Sequence, residues 1–152
     1  MEIKINIPSK NEIVEKAKKV GIHIPISGEK SSWSKNSLGE FKNKQGIYIH
    51  CRENEILYVG QTAKINKKSN KSDWATFGER LRREFQKSSA QENLLYQKLS
   101  ENDGEGNKTI FFETEEIVGM IQGLNENVSN QRKILLIEQA MIAAYDTLIN
   151  KR

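Results

Sequence analysis

Three kinds of side chain in this chain could do chemistry together. Two tyrosines, Tyr48 and Tyr58, stand ten residues apart and close to glycines in the stretch QGIYIHCRENEILYVGQT, from Gln45 to Thr62. A carboxylate, Glu138, interrupts the apolar run KILLIEQAMIAAY. Seven basic residues (Lys64, Lys67, Lys68, Lys71, Arg80, Arg82 and Arg83) lie between positions 64 and 83, against Asp73 and Glu79. A helix as apolar as the one around Glu138 is expected to be largely buried, and burial disfavours a charged carboxylate unless it is paired, hydrogen-bonded or metal-bound. An arginine could pair with it. Equally, it could hold a hard divalent ion, and Mg²⁺ suits a site of one or two protein carboxylates completed by waters and phosphate oxygens. The basic region could meet a phosphate backbone or be a solvated loop.

The tyrosines can work as a pair only if the strands that carry them put both on one face. Two strands are predicted, about Gly46–Cys51 and Glu55–Gly60. An odd loop between them keeps Tyr48 and Tyr58 together, whereas an even loop separates them, because a slip of one residue inverts every side chain. Arg52-Glu53-Asn54 fits a three-residue hairpin with Asn54 in the left-handed region. That register pairs Cys51 with Glu55 and Tyr48 with Tyr58. It puts Ile47, Ile49, Leu57 and Val59 on an apolar face, and Tyr48, His50 and Tyr58 on a second, half-wet face. Gly46 and Gly60 on that second face would leave room for a backbone or ligand to approach. An aromatic cross-strand pair that only stabilises a small sheet accounts for the same residues.

Around the hairpin, Ser9 and Glu12 read as a capping box for a helix that ends near Gly21 and carries Ile13, Val14 and Ala17 on one stripe. Residues 22–44 read as irregular structure anchored by Trp33 and Phe41. Phe77, Leu81 and Phe85 line one face of a helix that leaves Arg80, Arg82 and Arg83 to neighbouring faces. A second helix is predicted from about Ala90 to Leu99, a strand over Lys108–Glu113 and a helix over Asn130–Thr147 capped by Ser129. Residues 1–44 form an N-terminal arm packed on a domain that spans 45–152.

Composition narrows the class. With 152 residues, 36% hydrophobic and 29% charged, the chain suits a single core. No apolar run is long enough to span a membrane, and MEIKINIPSK lacks the apolar segment of a signal peptide, so a cytoplasmic location is expected. Cys51 is the lone cysteine, which excludes a disulfide framework or multi-cysteine zinc site, and His23 and His50 form no ligand-spaced pair. The net charge of +4 is a mild excess. Its distribution is more telling, because seven acids face only Lys108 between Glu101 and Asn127.

Gly46-Ile47-Tyr48, Tyr58-Val59-Gly60, the arginine in FGERLRREF, Glu138 and the LIN that ends at Asn150 together resemble the GIY-YIG nuclease family. The resemblance covers about Gln45 to Asn150. It implies an α+β fold, a small three-stranded antiparallel sheet flanked by helices, with metal-dependent phosphodiester cleavage on the sheet. By this resemblance Tyr48 is a general base for the attacking water and Tyr58 orients water or phosphate. Arg80 contacts the scissile phosphate, Glu138 is the sole protein ligand to Mg²⁺ or Mn²⁺, and Asn150 supports the site from behind. Lys64 is the nearest match to a lysine that some members use. Many members have His or Tyr where this chain has Glu84, which puts the proton relay in doubt, and His50 could compensate. Tyrosine ionises near pH 10, so it can be a base at neutral pH only where positive charge stabilises the phenolate.

The implied partner is DNA, cut by a small endonuclease of restriction, phage-defence or repair type. Lys67, Lys68, Lys71, Arg82 and Arg83 are candidates for binding it. Specificity would come from the N-terminal arm, the basic loop, a partner or a homodimer. The competing expectations are a non-catalytic nucleic-acid-binding module that keeps the fold, and a protein that acts by binding another protein.

Overall fold

A computed structural model describes residues 2–23, 38–63, 76, 77, 81, 94–147, 149 and 150. Its centre is a three-stranded antiparallel sheet in the order β3-β2-β4, with β2 at Gly46–Arg52, β3 at Glu55–Gln61 and β4 at Asn107–Glu113. The predicted α+β class is what the chain adopts. A second, two-stranded sheet, missed in the sequence, pairs β1 (Lys4–Ile5) with β5 (Ile121–Gln122). At two residues each, these strands are too short to show periodicity.

The helices start where their caps dictate. Helix α1 (Lys10–Val20) begins with a complete capping box, in which Ser9 Oγ accepts from Glu12 N–H and Glu12 Oε1 accepts from Ser9 N–H. Helix α2 is Leu94–Leu99, the later part of the segment predicted from Ala90. Helix α3 (Thr114–Val118) was also missed. It follows β4 directly and is capped by Glu113, which forms a second reciprocal box with Glu116. Helix α4 (Asn130–Tyr145) is capped by Ser129, which accepts from Arg132 N–H.

The sheet lies between two apolar layers. One contains Ile13, Val14 and Ala17 of α1, Ile117 of α3 and the α4 stripe Ile134, Ile137, Met141 and Tyr145, packed on Ile47, Ile49, Val59, Ile110 and Phe112. The other contains Leu38, Phe77, Leu81, Leu95 and Leu99, packed on Tyr48, Leu57 and Phe111. Phe77 and Leu81 are both helical and 0% exposed, as their spacing predicts.

Helix α4 departs from expectation. Its buried positions are spaced 3, 4 and 4 apart, which makes a single stripe rather than an all-round apolar surface. Leu136 is 37% exposed and Glu138 only half-buried. The apolar run overstates burial because several of its residues lie off the stripe: Ala143 and Ala144 are exposed and Ala140 is half-buried. Truncating the stripe should therefore cost far more than truncating beside it. Ile137→Ala should lose about 2–5 kcal/mol in urea unfolding and Leu136→Ala clearly less.

Candidate functional site

Hairpin register decides where the tyrosines lie, and it differs from the prediction. The turn holds two residues, Glu53 and Asn54, because Arg52 pairs with Glu55 and Cys51 with Ile56. Glu53, rather than Asn54, takes the left-handed backbone, with φ 55°. Asn54 instead accepts from Lys18 Nζ at 2.7 Å, which ties the hairpin tip to α1. An even turn alone would send the tyrosines to opposite faces. A bulge between His50 and Cys51 restores the parity, since His50 pairs with Tyr58 and Leu57 is left without a partner in β2. The two phenols thus share a face as diagonal neighbours rather than as the predicted direct pair, with ring centroids 6.2 Å apart.

The bulge also corrects the two predicted faces. Leu57 turns to the tyrosine side and joins its apolar cluster, while Ile56 takes the place expected for Leu57 in the opposite layer. Nor is the tyrosine face half wet. Tyr48 and His50 are both 0% exposed, and Tyr58 is the half-buried member. Phe77 meets the Tyr48 ring edge-on at 6.2 Å and packs in turn on Phe111, which stacks on Phe41.

Gly60 has a different role from the open platform expected of it. A Cβ there would lie 2.2 Å from Tyr48 Cζ and 2.3 Å from its hydroxyl oxygen, so the missing side chain is the seat of the phenol itself. Gly46 has φ 150°, and a Cβ on it would strike the Phe112 carbonyl oxygen at 1.9 Å. Both glycines thus secure the sheet.

Asn150 lies at the outer edge of β3. β3 is an edge strand, and the Asn150 amide completes it like a further strand. Its Oδ1 accepts from Val59 N–H at 2.9 Å and its Nδ2 donates to the Val59 carbonyl at 3.0 Å. Thr147 Oγ1 donates to the same Oδ1 at 2.6 Å. Val59 is the residue between Tyr58 and Gly60, so this clamp fixes the segment that carries one phenol and seats the other.

The structure brings together Tyr48, His50 and Tyr58, with Asn150 beside them at the edge of β3. Glu138 belongs to α4, whose buried stripe packs in the opposite layer, and its Oε1 accepts from Gln139 Nε2 at 3.3 Å. Among the described residues no group of three or more His, Cys, Asp or Glu side chains could hold a metal ion. A single half-buried carboxylate such as Glu138 could hold a Mg²⁺ or Mn²⁺ ion only with the other positions filled by water and phosphate oxygens. Lys64, Lys67, Lys68, Lys71, Arg80, Arg82, Arg83 and Glu84 lie outside the described residues.

Two features had no signal in the sequence. Thr109 on β4 lies across from His50, with its Oγ1 2.7 Å from His50 Nδ1. A polar groove of about 480 Å³ lies between Lys44 and the start of α3, where Lys44 Nζ meets Glu113 Oε1 at 3.0 Å. That groove shares no lining residue with the tyrosine cluster. Cys51 is no rival nucleophile, because burial pushes its thiol up to about 12.

Compared with protein-family models, with curated proteins and with solved structures, the chain finds no match.

Two substitutions test this geometry without reference to activity. Asn150→Ala should destabilise by about 1–3 kcal/mol and speed hydrogen exchange at the Val59 amide more than at Ile49. Gly60→Ala must displace either the phenol or the β3 backbone, so it should cost about 1–3 kcal/mol and shift the Tyr48 ring resonances.

Proposed function

We propose that the protein is a divalent-metal-dependent endonuclease that hydrolyses phosphodiester bonds in DNA. The observation that carries this reading is the bulge-set placement of Tyr48 and Tyr58 on one face of a three-stranded antiparallel sheet, with Asn150 clamping β3 at Val59, next to Tyr58. Further support comes from the GIY and YVG motifs, the arginine at position 80, Glu138 and the LIN segment, which occur in that order.

In this reading Tyr58, the half-buried phenol, orients water or a phosphate oxygen at the surface. Tyr48 acts from beneath it, held over Gly60. Attack forms a bond from the water oxygen to phosphorus and breaks one bond from phosphorus to a sugar oxygen, which leaves with the bonding pair and takes a proton from solvent, while the attacking water's proton passes to Tyr48 Oη. For Tyr48 to accept that proton it must be reached by the water and ionised against its burial, and the guanidinium of Arg80 would have to supply the positive charge for this and for the charge that develops on the phosphoryl oxygens. A metal ion on Glu138 would add Lewis-acid polarisation when bound. Among the described residues no helix is long and apolar enough to cross a membrane.

The burial of Tyr48 favours a second reading, a non-catalytic nucleic-acid-binding module in which the aromatic cluster is only core. Cleavage of plasmid and branched DNA with Mg²⁺ or Mn²⁺, with and without EDTA, separates the two. Under the nuclease reading EDTA abolishes cleavage. Glu138→Ala, Arg80→Ala and Tyr48→Phe should each lose about 100-fold or more in rate with the unfolding transition still cooperative. DNA binding without cleavage, weakening steeply as salt rises, selects the second reading. Cleavage by Glu138→Ala at the wild-type rate would rule out the assignment.

A further inference from the structure

Away from the tyrosines, the small sheet of β1 and β5 carries an apolar stripe past the edge of the core. Side chains alternate along a strand, so Ile3 and Ile5 share one face of β1 while Glu2 and Lys4 take the other. Ile121, the partner of Ile5 on β5, packs against the core. Beyond it the stripe meets water, with Ile5 40% and Ile3 51% exposed. Glu2, Lys4 and Asn6 are exposed too. Pairing runs past both ends of β1. Asn6 N–H donates to the Met120 carbonyl at 2.8 Å, and Gly123, at φ 88°, lies so close to Glu2 that a Cβ would meet its carbonyl oxygen at 2.1 Å.

The ladder fixes which backbone groups of β1 point outward. Directly opposed residues of an antiparallel pair alternate between hydrogen-bonded and non-hydrogen-bonded positions. Asn6 bonds Met120, which continues the register of Lys4 with Gln122 and Ile5 with Ile121. Lys4 is therefore in a bonded position, and Ile3 and Ile5 turn their N–H and C=O groups away from β5. Among the described residues neither isoleucine has another backbone partner. An edge of this kind accepts a further strand.

Charge complementarity selects that strand. When β1 pairs antiparallel with β1 of a second copy, Ile3 and Ile5 occupy the bonded positions and the charged residues face each other between them. With Ile3 opposite Ile5, Lys4 faces Lys4, and like charges directly opposed are destabilising. With Ile5 opposite Ile5, Lys4 faces Asn6 and Glu2 faces Pro8. With Ile3 opposite Ile3, Glu2 faces Lys4 of the second copy on both sides of the twofold axis, in the positions where side chains come closest. The segment Glu2-Ile3-Lys4 is thus complementary to itself. We infer that the outer edge of β1 is a homodimer interface, in which two copies pair antiparallel about Ile3, join their small sheets into one of four strands and place Glu2 against Lys4 twice. The inference stands apart from the nuclease reading, since it involves none of the residues assigned to cleavage.

Sedimentation velocity on the tag-free chain, without DNA or metal, tests it over about 1 µM to 1 mM, where a short pairing of this kind should associate. Wild type should form a dimer. Glu2→Lys and Lys4→Glu each set like charges opposite one another twice, so each should weaken association about 10-fold or more. An equimolar mixture of the two variants restores both opposite-charge pairs and should associate within about threefold of wild type. Ile3→Pro removes an N–H that points outward and leaves the β1–β5 bonds in place, so it should abolish the dimer while urea unfolding stays cooperative. A monomer throughout the range overturns the inference. So does a dimer that survives Ile3→Pro, which must use another face, or a mixture that associates no more tightly than its two components.

Discussion

Much of the site's geometry depends on one extra residue in an edge strand. A two-residue turn joins β2 to β3, and by itself it would place Tyr48 and Tyr58 on opposite sides of the sheet. Leu57 is the residue that the ladder skips, and the skip returns both phenols to one side. It also turns Leu57 and Tyr58 toward the same layer, so the bulge supplies a core residue and a site residue in adjacent positions. The cost of the irregularity is offset by packing, since Leu57 is 2% exposed.

The sheet's two flanks hold that arrangement from both sides. On the β3 edge, the Asn150 amide takes up the N–H and carbonyl of Val59 that no strand satisfies, as buried backbone groups require. On the β4 side, Ile22 exchanges hydrogen bonds with Thr109, whose side chain turns to His50. The tyrosine face is therefore braced by the C-terminal segment at one edge and by residues following α1 at the other. Both braces come from far away in sequence, and each acts through backbone or amide geometry rather than through charge.

Much of the fold was legible because it rests on local chemistry. Ser9 and Glu12 announce α1, Ser129 announces α4, and alternation in GIYIHC and EILYVG announces the strands, since each signal depends on residues only a few positions apart. Helix α3 and the pair β1 and β5 escaped. Glu113 is a less familiar cap than serine, and two-residue strands exist only because they find each other across the chain. Glu138 was misjudged for a related reason: composition shows how apolar a helix is, while its burial depends on how many faces meet other elements.

The sequence by itself determined which side chains could do chemistry, the order in which they occur and the elements that carry them, because these follow from residue type and short-range periodicity. Only the tertiary structure decided that the tyrosine face is roofed by Phe77 and Leu81, that Gly60 seats a ring instead of admitting a ligand, and that Thr109 meets His50. Each of those contacts joins residues from separate elements, and none is encoded in the local pattern of either partner. The hairpin lies between the two cases. Its strands were local information, but its register depended on a bulge whose side chains had two apolar layers to choose between, and packing in three dimensions made that choice.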